Sequence, residues 1–341
     1  MKKFLALFLA IMMVLSLVAC GAKEEAPAAK EEAPAASEEK TEEKVEEAAP
    51  AEELTIGIFV KDNTNPFWRY VVKGAMQAGE DLGIKVVEYT PAEASNVEQQ
   101  VSLVQDAIQA DIDGMAIVAV DSAALLDSCK QAMDAGITVV PFNSRMDDLG
   151  ASTFVGIDNY TAMKVLMEDL VDQLGGEGNV VVLEGVLAGY ANQERMRAVN
   201  EVLEANPGLV VVADQAANAQ REEAITVMEN ILQANKDIDA VIGHNDNTAL
   251  GAYQAILDAG REGEMILTGF DAQEELLRYM ASGDDRVTMT IDQSPFMQGY
   301  ASVEACYKLL MGETVDEYIP TGGTLVTVEN AQDILDKFYD N

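Results

Sequence analysis

Seven planar polar side chains stand just past short apolar runs, or where a helical pattern opens after them: Asn65, Asn143, Arg145, Arg195, Asn245, Asp271 and Gln293. Phe67, Trp68 and Phe270 are the aromatic residues in the same places. Amide, carboxylate and guanidinium groups each make two hydrogen bonds to neighbouring groups. An aromatic face covers the C–H side of a ring. In a concave site this set suits a polyhydroxy ligand. Lys61 and Asp121 follow the first and third apolar runs and join the candidates.

The elements that must position these residues alternate. Thr55 to Val60, Lys85 to Tyr89, Gly114 to Val120, Thr138 to Phe142 and Thr153 to Ile157 read as strands. So do Asn179 to Leu183, Leu209 to Ala213, Ala240 to Gly243, Met265 to Gly269 and Val287 to Ile291. Amphipathic stretches fall between them, among them Pro66 to Leu82, Ser95 to Ala110, Asp121 to Ala135, Gln193 to Ala205, Thr248 to Ala259 and Pro295 to Met311. Gly83, Gly136, Asn206-Pro207-Gly208 and Gly260 stop helices. Nearly all-apolar strands alternating with helices predict an α/β fold of two doubly wound parallel-sheet lobes. Ligands bind beyond the carboxyl ends of such strands, where the candidates lie.

The N-terminus concerns location. Lys2 and Lys3 precede an apolar run from Phe4 to Ala19, and small residues lead to Cys20. This is a secretory signal, too short to be a membrane span. Small residues directly before Cys20 resemble a lipoprotein signal, which implies lipid on Cys20 and an extracytoplasmic, membrane-anchored protein. Residues 21–53 are Ala, Pro, Glu and Lys, with Glu-Glu-Ala-Pro-Ala-Ala occurring twice. Such a segment is expected to be a disordered acidic tether. Of the net charge of −37, the signal contributes two positive charges and the tether twelve Glu against four Lys, so −31 remains on residues 54–341. That acidity argues against a nucleic-acid partner. Cys129 and Cys306 remain, either as a disulfide or as two buried thiols. One histidine and no Cys-x-x-Cys leave a zinc site almost without ligands, and no cofactor is expected.

Asn65-Pro66-Phe67-Trp68, Gln193-Glu194-Arg195, His244 to Ala252, Gly269-Phe270-Asp271 and Thr290-Ile291-Asp292-Gln293 resemble, in order, the periplasmic sugar-binding proteins of the ribose-binding type. The ligand-binding halves of lac-repressor-type regulators are similar too. The resemblance covers Leu54 to about Thr327. It implies the type I periplasmic-binding-protein fold with three crossovers forming a hinge. One lobe would hold 54–157 with 294–322, and the other 158–293 with 323–341. It implies that Asn65, Asn245, Asp271 and Gln293 bind hydroxyls, that Phe67 and Trp68 form a stacking wall, and that Arg195 donates from the second lobe. It further implies a monomer that captures a sugar or polyol and hands it to the permease of an ABC importer. The same fold also serves as a sensory module presenting ligand to a chemoreceptor or membrane kinase.

The chain departs from that pattern at several points. Lys61 replaces a small hydroxyl residue, and Val118 to Asp121 replaces an Asn-Pro, leaving only Asp121 there. Asn143-Ser144-Arg145 replaces an Asp-Arg, and Asn218 and Ala219 stand where the family has an aromatic residue. Lys61, Arg145 and Arg195 would together admit one anionic group, such as that of a sugar acid. Phe67 reads equally as core or as cleft wall. His244 reads first as a satisfied strand end and Asp246 as a helix cap. No Gly-x-Ser-x-Gly, phosphate loop or Gly-x-Gly-x-x-Gly after a strand occurs, so an enzyme is not expected.

Overall fold

The computed structural model describes residues 54–93, 96–283 and 287–339. The signal, Cys20 and the tether lie outside the described residues. In the first sheet, β1 (Thr55–Phe59), β2 (Lys85–Tyr89), β3 (Gly114–Ile117) and β4 (Thr138–Pro141) run parallel in the order β2-β1-β3-β4. A parallel pair, β5 (Phe154–Gly156) with β11 (Tyr318–Pro320), continues it through a bridge from Phe142 to Val155. The second sheet contains β6 (Gly178–Glu184), β7 (Leu209–Ala216), β8 (Ala240–Gly243), β9 (Ile266–Thr268), β10 (Val287–Asp292) and β12 (Thr324–Thr327), ordered β12-β10-β9-β8-β6-β7. Only β12 is antiparallel, against β10. The two-lobed α/β architecture agrees with the expectation; β11, β12 and the last helix, α10 (Ala331–Phe338), were not foreseen.

Each sheet has a core on both faces, which is why its strands carry few polar residues. In the first lobe, Ile56, Ile58 and Ala116 face α1 (Pro66–Leu82) and α9 (Pro295–Leu310). Phe59, Met115 and Ile117 face α2 (Val97–Gln109) and α3 (Ser122–Asp134). In the second, α4 (Asn159–Leu174) and α5 (Tyr190–Ala205) cover one face. The other is covered by α6 (Arg221–Ala234), α7 (Asp246–Asp258), α8 (Glu274–Ala281) and α10. Cys129 and Cys306 are buried free thiols. They belong to cores on opposite faces of one sheet, which keeps them apart. Burial pushes both up to about 12.

The chain passes between the sheets after β5, after β10 and between β11 and β12. These passages are laced together: Gly323 N donates to Asp292 O (2.7 Å) and Thr321 N to Gly156 O (2.9 Å). Gly322 has φ 63°, and a Cβ there would lie 2.5 Å from the Gln293 carbonyl carbon. Glycine is therefore the residue that lets the second and third passages touch.

Helices α1 and α9 approach just as closely. A Cβ on Gly299 would lie 1.8 Å from Val71 O, and one on Gly74 1.9 Å from Phe296 O. Both obstacles are backbone, so the helices themselves must move. Gly299→Ala is therefore expected to lower stability by about 1–3 kcal/mol despite its better helix propensity. Urea unfolding would read this as a lower midpoint at unchanged slope.

Candidate functional site

The cleft forms where the carboxyl ends of both sheets face each other. In the first lobe, Asp62 folds the loop after β1. Its Oδ1 accepts from Thr64 N, Thr64 Oγ1 and Asn65 N, each at 2.8 Å. That fold sets Asn65 as the cap of α1, its Oδ1 accepting from Phe67 N (2.9 Å), with Pro66 following as the first helical residue. Phe67 and Trp68 meet edge to face at 4.8 Å. Both are packed in the core and both line the cleft, so core and wall are one role. In the second lobe, Asn245 caps α7, its Oδ1 accepting from Thr248 N (2.9 Å) and Thr248 Oγ1 (2.7 Å). The cap is thus Asn245, and Asp246 is the first helical residue. Capping occupies Oδ1 of both asparagines and leaves each Nδ2 without a partner among the described residues.

Arg195, on α5, is buried and held at three points. Nε donates to Asn159 Oδ1 (2.9 Å), Nη1 donates to His244 O (2.8 Å), and the guanidinium lies 3.6 Å from the Phe270 ring centroid. Nη2 is left for the cleft it lines. Burial lowers this arginine to about 10, against the attraction of Asp271 and Asp246. His244 also lines the cleft. Burial first, then Arg195 and Lys61, hold its imidazole well below the usual range, and its Nδ1 has no partner. Lys61 donates from Nζ to Ser144 Oγ (3.1 Å) and lies 5.9 Å from the Trp68 centroid. Removal from solvent, then Arg195, bring it down to about 8.

A web of amides spans the floor. Asn143, at φ 58°, donates from Nδ2 to Gln293 Oε1 (3.2 Å) and Gln298 Oε1 (3.0 Å). Gln293 Nε2 donates to Asp271 Oδ1. Gln273 Nε2 donates to Asp271 Oδ2 (3.1 Å) and to Asn65 Oδ1 (3.2 Å), joining the two lobes. Behind Asp271, the carboxylate of Asp246 accepts from Gln273 N (2.6 Å) and Thr290 Oγ1 (2.7 Å). Burial, then Asp271, push Asp246 up to about 8. Burial raises Asp271 to about 6 against Arg195.

The structure therefore brings Lys61, Asn65, Phe67, Trp68, Asn143, Arg195, Asn245, Asp271 and Gln293 to one cleft. Two expected residues lie elsewhere. Asp121 is spent capping α3, its Oδ1 accepting from Ala123 N (2.9 Å) and Ala124 N (3.0 Å), and Val120 takes its place in the lining. Arg145 stacks outside the cleft, 4.5 Å from the Phe154 centroid and 5.3 Å from that of Tyr318. The unforeseen β11, which carries Tyr318, is what draws it there. Asn192 and Gln220 line the cleft unanticipated, although each stands where a helix opens after a second-lobe strand. Asn192 is already tied, accepting from Gly185 N (2.7 Å) and donating to Glu184 (2.8 Å). Where an aromatic residue was missing, Asn218 and Ala219 occupy the wall with φ near 49° and 58°. Gln100, buried in α2, donates to Val60 O and Val118 O and accepts from Val120 N. It ties together the two strand ends that carry Lys61 and Val120.

Two doubly wound lobes, three passages between them and a polar cleft at the facing strand ends define a two-lobed solute-binding protein. Residues 56–314 match the periplasmic binding protein domain. The chain is 32% identical to a ribose import binding protein of Bacillus subtilis over 268 residues, 79% of this chain and 85% of that one. A solute-binding protein of Actinobacillus succinogenes, solved with bound D-allose, superposes with a TM-score of 0.77 at 26% identity, covering 82% of this chain and all of that one. One from Bacillus halodurans, solved with bound myo-inositol, superposes at 0.76 and 28%, covering 84% and 98%. The chain belongs to the periplasmic binding protein family, in its ribose-binding branch.

The buried acid pair makes stability depend on pH. A carboxyl whose folded pKa lies above its unfolded value contributes stability that is full below the unfolded value of about 4 and lost as pH rises through the folded one. For Asp246 that loss runs from about pH 4 and is complete near pH 8. Lys61, lowered to about 8 from its ordinary 10.5, works in the opposite sense above that range, between about pH 8 and 10.5. The comparison with a variant isolates the acid: the stability of Asp246→Asn relative to the wild type should rise between about pH 5 and 8 and level off above, read from urea midpoints. A constant difference would mean that burial does not raise Asp246 above its unfolded value.

Proposed function

We propose that the protein captures a sugar or sugar-like polyol between its lobes and delivers it to an ABC importer, while lipid on Cys20 holds it at the outer face of the cell membrane. The observation that carries this reading is the pairing of two helix caps across the cleft. Asn65 and Asn245 each give Oδ1 to a helix and keep an amide Nδ2 for a hydroxyl oxygen. Asn143 keeps Oδ1 as an acceptor, Asp271 supplies a charged one, and Arg195 donates between them. Phe67 and Trp68 cover the apolar side of the ring. The relatives named for ribose import, or solved with D-allose and myo-inositol, support a ligand of this class.

Residues 54–157 with 294–322 would move as one lobe and 158–293 with 323–341 as the other. A ligand touching both favours the closed form by its preference for that form alone. The importer would then recognise the closed outline of a monomer.

Thermal unfolding of the full chain against pentoses, hexoses, inositols and polyols tests the ligand class. A ligand bound only by the native state stabilises it by about 2.7 kcal/mol at a hundredfold excess over Kd. The shift should vanish in Asn245→Ser, whose hydroxyl still caps α7 but offers no amide to the cleft. No shift with any member would sink the reading. For the anchor, Cys20→Ala should move the protein from the membrane pellet to the soluble fraction of the producing cells; retention in the pellet would refute lipidation at Cys20.

A further inference from the structure

Basic residues are scarce in this chain, 22 against 59 acidic ones, yet two of them line the cleft. Several other basic residues have a carboxylate in direct contact: Lys164 with Glu201, Arg197 with Glu194, Arg221 with Glu275, Arg261 with Glu264 and Lys308 with Glu304. Lys61 and Arg195 are not. Among the described residues neither has a carboxylate oxygen within 4.0 Å. Their partners are neutral: a serine hydroxyl for Lys61, an amide oxygen and a main-chain carbonyl for Arg195.

The two acids of the cleft are engaged by neutral donors in turn. Asp62 binds the loop that sets Asn65. Asp271 takes the side chains of Gln273 and Gln293, one on each oxygen. The imidazole of His244 is held neutral beside them. Asp271 attracts both cations from a distance, but neither has a carboxylate in direct contact, and a charged, hydrogen-bonding partner that arrived there would recover part of the cost of their desolvation. Two such cations repel each other across the same cavity, the second contribution to the lowering of Lys61. Arg145, the third cation that could have joined them, is stacked on Phe154 and Tyr318 outside the cleft. The two cations that do line the cleft are the groups an anionic ligand would meet.

We propose that the ligand is a sugar acid whose single carboxylate accepts from Lys61 Nζ and Arg195 Nη2, while its hydroxyls meet the asparagines. This rests on the sugar-cleft reading above and narrows it. A carboxylate fits the planar guanidinium and the one remaining nitrogen better than a bulkier dianion does.

Calorimetric titration of the full chain with matched pairs tests it: D-ribose and D-ribonate, D-glucose and D-glucuronate, D-galactose and D-galacturonate, with ribose 5-phosphate alongside. At least one acid should bind about tenfold or more tighter than its neutral counterpart, the scale of one charged hydrogen bond. Lys61→Gln should abolish that preference, and Lys61→Arg should keep it. A urea midpoint and slope close to those of the wild type report that Lys61→Gln is folded. A neutral sugar bound as tightly as every acid overturns this inference and leaves the sugar reading intact. Preference for the phosphate overturns the carboxylate. Binding of none of them overturns this inference, and the unfolding panel above decides the sugar or polyol reading separately.

Discussion

The interaction on which the cleft depends is the hold of Asp271 on two buried amides. Its oxygens take Gln293 Nε2 on one side and Gln273 Nε2 on the other. Fixing those donors fixes the acceptor ends as well. Gln293 Oε1 receives Asn143, and the second bond of Gln273 Nε2 reaches Asn65. Buried polar groups must be satisfied, and a charged acceptor at the centre orients a chain of neutral ones. The web runs from the first lobe through a passage residue into the second lobe and back. Which polar atoms remain unspent, and so which can meet a ligand, follows from it.

The same economy appears at the helix starts. Asn65 and Asn245 follow the ends of β1 and β8, one in each lobe, and solve the same local problem. A helix opens with unsatisfied N–H groups, and the asparagine Oδ1 takes one of them. Because the side chain is an amide, the capping acceptor brings a donor with it. A serine would cap as well and offer no second group of that kind, while an aspartate would offer another acceptor. Capping chemistry thus sets what each lobe presents to the cleft.

The alternation of apolar runs and amphipathic stretches made both sheets legible, since parallel strands buried on two faces have almost no polar residues to confuse the period. The tail was not legible: Thr324–Thr327 and Ala331–Phe338 are short, and their strand and helix are stabilised by β10 and by the core under α8. The cleft followed from strand ends, which is why nine expected side chains meet there. Asp121 and Arg145 failed for local reasons that position cannot reveal. An aspartate before Ser-Ala-Ala has its own helix to cap, and an arginine beside two aromatic rings has a surface to stack on. Gln100 was hidden because its burial depends on two strand ends distant in sequence.

Backbone strain gathers where the lobes meet. Asn143, Asn218, Ala219, Asp271, Ala272 and Ser294 all have positive φ, and each lies in the cleft or beside the passages. A non-glycine residue there costs on the order of 1 kcal/mol, and asparagine and aspartate tolerate it best. That cost persists only where surrounding bonds overdetermine the backbone. At Ser294 they do, through Asp292 Oδ1 accepting from its N–H (2.6 Å) and Gln298 N donating to its carbonyl (3.0 Å). Direct bonds between the lobes, Gln273 to Asn65 and Tyr70 to Glu274, hold them together across the cleft. On the proposed closing motion, a bound ligand would have less of the equilibrium to supply, because a population shift requires only the remaining difference in affinity between the two forms.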